Sequence, residues 1–123
     1  MKDKIKTFVT GIKNIWRWRK VLYRDRDWDH WYIYEILKTK LKFQADYIAV
    51  NSYHERAGED VKEIRECIEL IDKVQNEFYI DEMLNLDQSE WTLDRIKGAE
   101  DSHNQTKRQL FKLLDKNIEH WWS

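Results

Sequence analysis

Four histidines, one cysteine and a dense set of carboxylates are the side chains through which this 123-residue chain could carry out catalysis. The histidines are His30, His54, His103 and His120, and no two are four residues apart. No single helical turn therefore offers two imidazoles to one metal ion. Glu59, Glu63, Glu66, Glu69 and Asp72 recur every three or four residues, which suits magnesium only if facing helices bring carboxylates together. Here they share one segment with Lys62, Arg65 and Lys73, the pattern of a solvated face laced with i, i+4 pairs. Cys67 falls on the apolar side of the same segment and reads as a small core residue. No glycine-rich phosphate loop is present. No nucleophile, acid–base pair or metal set assembles, so no metal or cofactor is expected. A hydrolase built on Glu66 and Glu69 is the weakest of three readings.

Binding chemistry is better represented. The run IWRWRK places Trp16 and Trp18 among Arg17, Arg19 and Lys20, where rings can stack on a base while cations hold phosphate. The same residues would also suit a membrane surface, or Trp16 could simply fill the core. A few residues on, RDRDWDHWY crowds Arg24, Arg26, Trp28, Asp29 and His30 together. Asp25 or Asp27 there reads as a helix cap. Near the other end, SHNQTKR sets His103 and Asn104 at an expected helix start, with Arg108 one turn further on. Unpaired N–H groups at such a start favour an anion.

The elements that must position these residues are helical. The chain has no proline and three glycines, too few punctuators for a sandwich or barrel of short strands. Seven tryptophans and six tyrosines argue against disorder, because such rings need burial or a partner. Apolar spacing predicts a helix over 4–23, with Ile5, Phe8, Ile12, Ile15 and Leu22 opposite a cationic face. A second helix is expected from Trp28 to Tyr53, with Ile33, Leu37, Leu41, Ala45 and Ile48 as its core stripe. A third runs from Glu59 to Leu84 around Ile64, Ile68, Ile71 and Phe78. WTLDRIKG reads as a short helix ending at Gly98, after a possible capping box at Asp87–Glu90. A second capping box at Ser102 opens the last helix, which carries Leu110, Leu113, Leu114, Ile118 and Trp121 on one face.

The expected fold is a single all-α domain. Helices two and three form an antiparallel long-helix hairpin, with an N-terminal amphipathic helix and a C-terminal helix packed alongside. Residues 1–26 hold nine Lys/Arg against two Asp/Glu, a net +7, and the remainder carries −8. Such a split implies an arm that meets an anionic partner or the chain's own acidic body. No apolar run is long enough to span a membrane. One lone cysteine fits a reducing compartment, and a cytoplasmic location is expected.

RDWDHWY after a Trp/Arg-rich arm, then IRECIELIDKV, then HNQTKRQLF and a closing EHWW, resembles a group of small uncharacterised phage-encoded proteins. The shared steps map to Arg26, Trp28 and Asp29; to Ile64, Arg65 and Ile68; to Glu100, His103, Asn104 and Arg108; and to Trp121 and Trp122. The resemblance implies a phage origin and brings no activity with it. Compact helical phage proteins that sequester host nucleotide immune signals are one class consistent with that origin.

The leading expectation is therefore a non-enzymatic binder of a nucleotide-like, anionic and aromatic small molecule. Arg17, Arg19, Arg24, Arg26 and Arg108 would hold phosphate, Trp18 or Trp28 would stack on the base, and Asp29, His103 and Asn104 would contact ribose or base edges. The alternative is a protein- or nucleic-acid-interaction module acting through the basic arm. A homo-oligomer is expected in either case, since seven tryptophans are hard to bury in so small a core.

Overall fold

The computed structural model describes residues 2–51 and 56–121, and the regular structure among them is all helical. Five α-helices and one 3₁₀ turn are present among the described residues: α1 (Lys2–Arg24), α2 (His30–Val50), α3 (Ala57–Gln75), α4 (Phe78–Leu84), the 3₁₀ turn Gln88–Glu90 and α5 (Leu93–Asn117). The all-α class expected from the missing prolines and the helical periodicity is what the chain adopts. Two compact units emerge, Met1–Ile36 and Leu37–Ser123, with α2 running from one into the other.

In the first unit, α1 forms where the spacing predicts it. Asp3 in its first turn and Arg24 in its last match the helix dipole at both ends. Its apolar face, however, is not core: no residue of α1 is buried, and Trp16 is 66% exposed. The helix stops at Arg24, and a turn over 25–29 leads into α2. Neither Asp25 nor Asp27 caps that helix. Asp29 does, its Oδ1 accepting from Trp31 N at 2.9 Å while its carbonyl accepts from Tyr32 N at 3.1 Å. The cap therefore sits two residues later than the nearest expected position. Ile33, expected in the core stripe, is 68% exposed.

The second unit contains the core. From α2 come Leu41, Ala45 and Ile48, from α3 Ile64, Cys67, Ile71 and Val74, and from α5 Leu110 and Leu114, joined by Trp121. Helix α3 packs against both α4 and α5, and α4 packs along α5. Trp121 is fully enclosed, and its Nε1 donates to Glu63 Oε2 at 3.0 Å. Lys38 is an unexpected buried cation, donating to Asp72 Oδ1 at 2.8 Å and to Gln75 Oε1 at 2.7 Å. Burial of that ammonium is tolerable because it is paired and hydrogen-bonded.

Three boundaries differ from the spacing-based expectation. The segment expected as one helix over 59–84 is two, broken at Asn76–Glu77, where Glu77 takes a left-handed φ of 49°. Asp87 makes no side-chain cap at the 3₁₀ turn; Trp91 instead anchors that turn, its Nε1 donating to Leu86 O at 3.1 Å. Helix α5 begins at Leu93 rather than Ser102, because Thr92 Oγ1 accepts from Arg95 N at 3.2 Å. Gly98 lies inside α5 and ends nothing. The expected last residues of helix two (through Tyr53), His54 and Trp122 fall outside the described residues.

Candidate functional site

A surface cleft of about 310 Å³ lies between the end of α1 and the start of α2, wholly within the first unit. Arg17, Lys20 and Arg24 line it from α1, spaced so that successive helical turns present them on one side. Val21 supplies an apolar patch among them. From the first turns of α2 come Trp31, Tyr32 and Glu35. The Asp29 cap fixes where α2 begins and hence which side chains reach the cleft.

Local contacts hold several of these groups in place. Arg17 Nη2 donates to Asn14 Oδ1 at 2.7 Å, one turn back along α1. Trp31 and Tyr32 meet edge to face, with ring centroids 5.0 Å apart at 74°. Such pairs hold each other's orientation, giving the cleft a firm aromatic wall. Three cations face a single carboxylate, so the cleft is electropositive. Guanidinium and ammonium groups beside planar rings can hold a phosphate or carboxylate and pack against an aromatic ring system. Glu35 is the one acceptor-only group there and can take a hydrogen bond from a ligand hydroxyl or amine.

Of the residues expected from the sequence, Arg17 and Arg24 line this cleft. The others in the first unit have different surroundings. Arg19 stacks on Trp16, its guanidinium carbon 3.8 Å from the ring centroid, and donates to Trp16 O at 2.7 Å. Arg26 folds back onto the backbone, donating to Asp25 O at 2.9 Å and Arg24 O at 3.3 Å. Trp28, proposed to stack on a base, projects into solvent at 81% exposure. Trp18 is half-buried, and Asp29 is used as the α2 cap.

His103, Asn104 and Arg108 belong to the second unit and lie in the interior of α5 rather than at a helix start. Their backbone N–H groups are consumed by the helix, so the anion-binding terminus expected there does not form. His103 Nδ1 is buried without a hydrogen-bond partner. Lys20, Trp31, Tyr32 and Glu35 complete the cleft. Lys20 stands in IWRWRK and Trp31 and Tyr32 in RDRDWDHWY, but their place on the cleft, with that of Glu35, needed the position of the α2 cap. Among the described residues no group of three or more His, Cys, Asp or Glu is arranged to hold a metal ion. The acidic face of α3 is partly paired, Arg56 meeting Glu59 at 3.2 Å and Glu63 at 3.4 Å.

Comparison with protein-family models, with curated proteins and with solved structures finds no match. The functional reading therefore rests on the cleft's own chemistry.

Proposed function

We propose that the protein binds, without chemically altering it, a small ligand that joins an anionic group to a planar ring, a nucleotide-type molecule, in the α1–α2 cleft. The observation that carries this reading is the convergence of Arg17, Lys20 and Arg24 with Trp31 and Tyr32 around one concave space. In this role the cations hold phosphate, a ring of the aromatic wall packs on the base, and Glu35 accepts from a sugar or base donor. The volume lies near the small end of ligand sites, roughly 300–1,000 Å³. A single nucleotide unit is the natural fit, with any second unit of a dinucleotide extending outside. Set beside the resemblance to phage-encoded proteins, sequestration of a nucleotide-type host immune signal is the role we infer.

Calorimetric titration of the full chain with AMP, ADP-ribose and cyclic dinucleotides tests this. Saturable binding to at least one is expected, weakened about tenfold or more by Arg24→Ala and by Lys20→Ala, because each loses a charge-assisted hydrogen bond. Both side chains sit on exposed positions, so folding is preserved. No binding heat from any of these ligands with folded protein sinks the proposal. Tighter binding to a single-stranded oligonucleotide, falling as salt rises, would replace it with the nucleic-acid reading.

The antiparallel pairing of α2 and α3 is part of the same proposal. It is supported by Lys38, in the first half of α2, meeting Asp72 and Gln75 near the end of α3.

A further inference from the structure

The apolar face of α1 takes no part in the cleft and none in the core. Ile5, Phe8, Ile12, Ile15, Trp16 and Leu22 are all exposed, between 51% and 69%. At ~100° per residue they form one stripe about 120° wide, sustained over a helix roughly 35 Å long. Lys4 and Arg19 lie within the arc of the stripe, and the other cations are gathered rather than scattered. Lys6, Lys13, Arg17, Lys20 and Arg24 run down one flank of the stripe, within about 60° of arc. Across Lys2–Arg24, Asp3 is the only acid against eight Lys/Arg.

An occupant of this face must supply an apolar medium along the whole stripe and negative charge along its edge. We propose that α1 lies flat on an anionic lipid surface, its apolar stripe in the outer acyl region and its cationic flank among the headgroups. Arg17, Lys20 and Arg24 on that flank also line the cleft, so they serve either headgroups or a cleft ligand, not both at once. A lipid interface has both layers, stacked in the order that the helix presents them. Trp16 and Tyr23 suit the boundary between those layers, since their rings are apolar and their N–H and O–H groups stay wet. Arg19, within the stripe, is stacked on Trp16 and so keeps its stem against apolar surface while its head reaches outward. The helix does not cross the bilayer: among the described residues no helix is long and apolar enough to span one. A second copy of α1 fits the stripe less well, because pairing it would set two strongly cationic helices side by side.

Co-sedimentation of the full-length protein with vesicles tests this, using phosphatidylcholine alone and phosphatidylcholine mixed with phosphatidylglycerol. Pelleting with the anionic vesicles is expected, with little on phosphatidylcholine alone and progressive release as salt rises. Phe8→Ser and Ile12→Ser should each weaken binding by about tenfold or more while leaving helical circular dichroism unchanged. Wild-type protein that stays in the supernatant with anionic vesicles overturns the proposal, as does an Ile12→Ser variant that pellets like wild type. A soluble oligomer that Ile12→Ser dissociates, in a protein that ignores vesicles, assigns the face to a second copy instead.

Discussion

Cys67 is enclosed on every side in the core, and burial pushes its thiol up from 9.0 to about 11. Folding therefore holds a proton that the unfolded chain releases at lower pH. The stability this group contributes is complete below about pH 9 and is lost as the pH rises toward about 11. Thermal melts at neutral pH and near pH 10 should show a larger alkaline loss of Tm in the wild type than in Cys67→Ala. An equal loss in both would remove Cys67 as a contributor. By the same physics, alkylating reagents should modify Cys67 slowly in the folded protein and quickly in denaturant. At other single positions the side chain's chemistry was readable but its employment was not. Asp25, Asp27 and Asp29 are equivalent cap candidates by type, and only the path of the turn selects Asp29. Arg17, Arg19, Arg24 and Arg26 are equally cationic in the sequence, yet Arg17 and Arg24 line the cleft while Arg19 and Arg26 are engaged by their own neighbours.

At the scale of the elements, helix existence was legible and helix ends were not. The break between α3 and α4 has neither glycine nor proline to announce it, and the chain turns through Glu77 at φ 49°. A residue with a Cβ is strained there by about 1–2 kcal/mol, which glycine avoids. Glycine also loosens the unfolded chain, costing up to about 1 kcal/mol. Glu77→Gly is accordingly expected to raise stability by up to about 1 kcal/mol, and Glu77→Val to lower it, as read from urea midpoints. Similar losses from both substitutions would show that the Glu77 side chain matters more than its backbone. The start of α5 illustrates competition between caps. Thr92 and Ser102 both precede helix-forming sequence, and the structure uses Thr92, so that the later candidate is absorbed into the helix. Ser102 then serves α5 through its carbonyl, which accepts from Thr106 Oγ1 at 2.9 Å.

Across the whole molecule, burial is distributed unevenly. Every buried apolar residue among those described lies between Leu41 and Trp121, in the second unit. A chain beginning at His30 loses the Asp29 cap but keeps the rest of α2 together with that entire core. It should unfold cooperatively with a Tm within a few degrees of the full chain, as followed by circular dichroism. A molten, non-cooperative melt would show that residues 2–29 contribute to the core's stability after all. The charge split follows the same division, with the cationic residues concentrated in α1 and the following turn and the acidic excess in the remainder. The sequence by itself determined the helical class and the presence of amphipathic segments, because apolar periodicity and the absence of proline act on each stretch locally. It also located the cationic, aromatic junction at Arg24–Tyr32. Only the tertiary structure decided which stripes are covered. Ile5, Phe8 and Ile12 follow the same spacing as Ile64, Cys67 and Ile71, yet the first set is exposed and the second fully buried. Periodicity is a property of one helix, whereas burial is a property of two surfaces that meet.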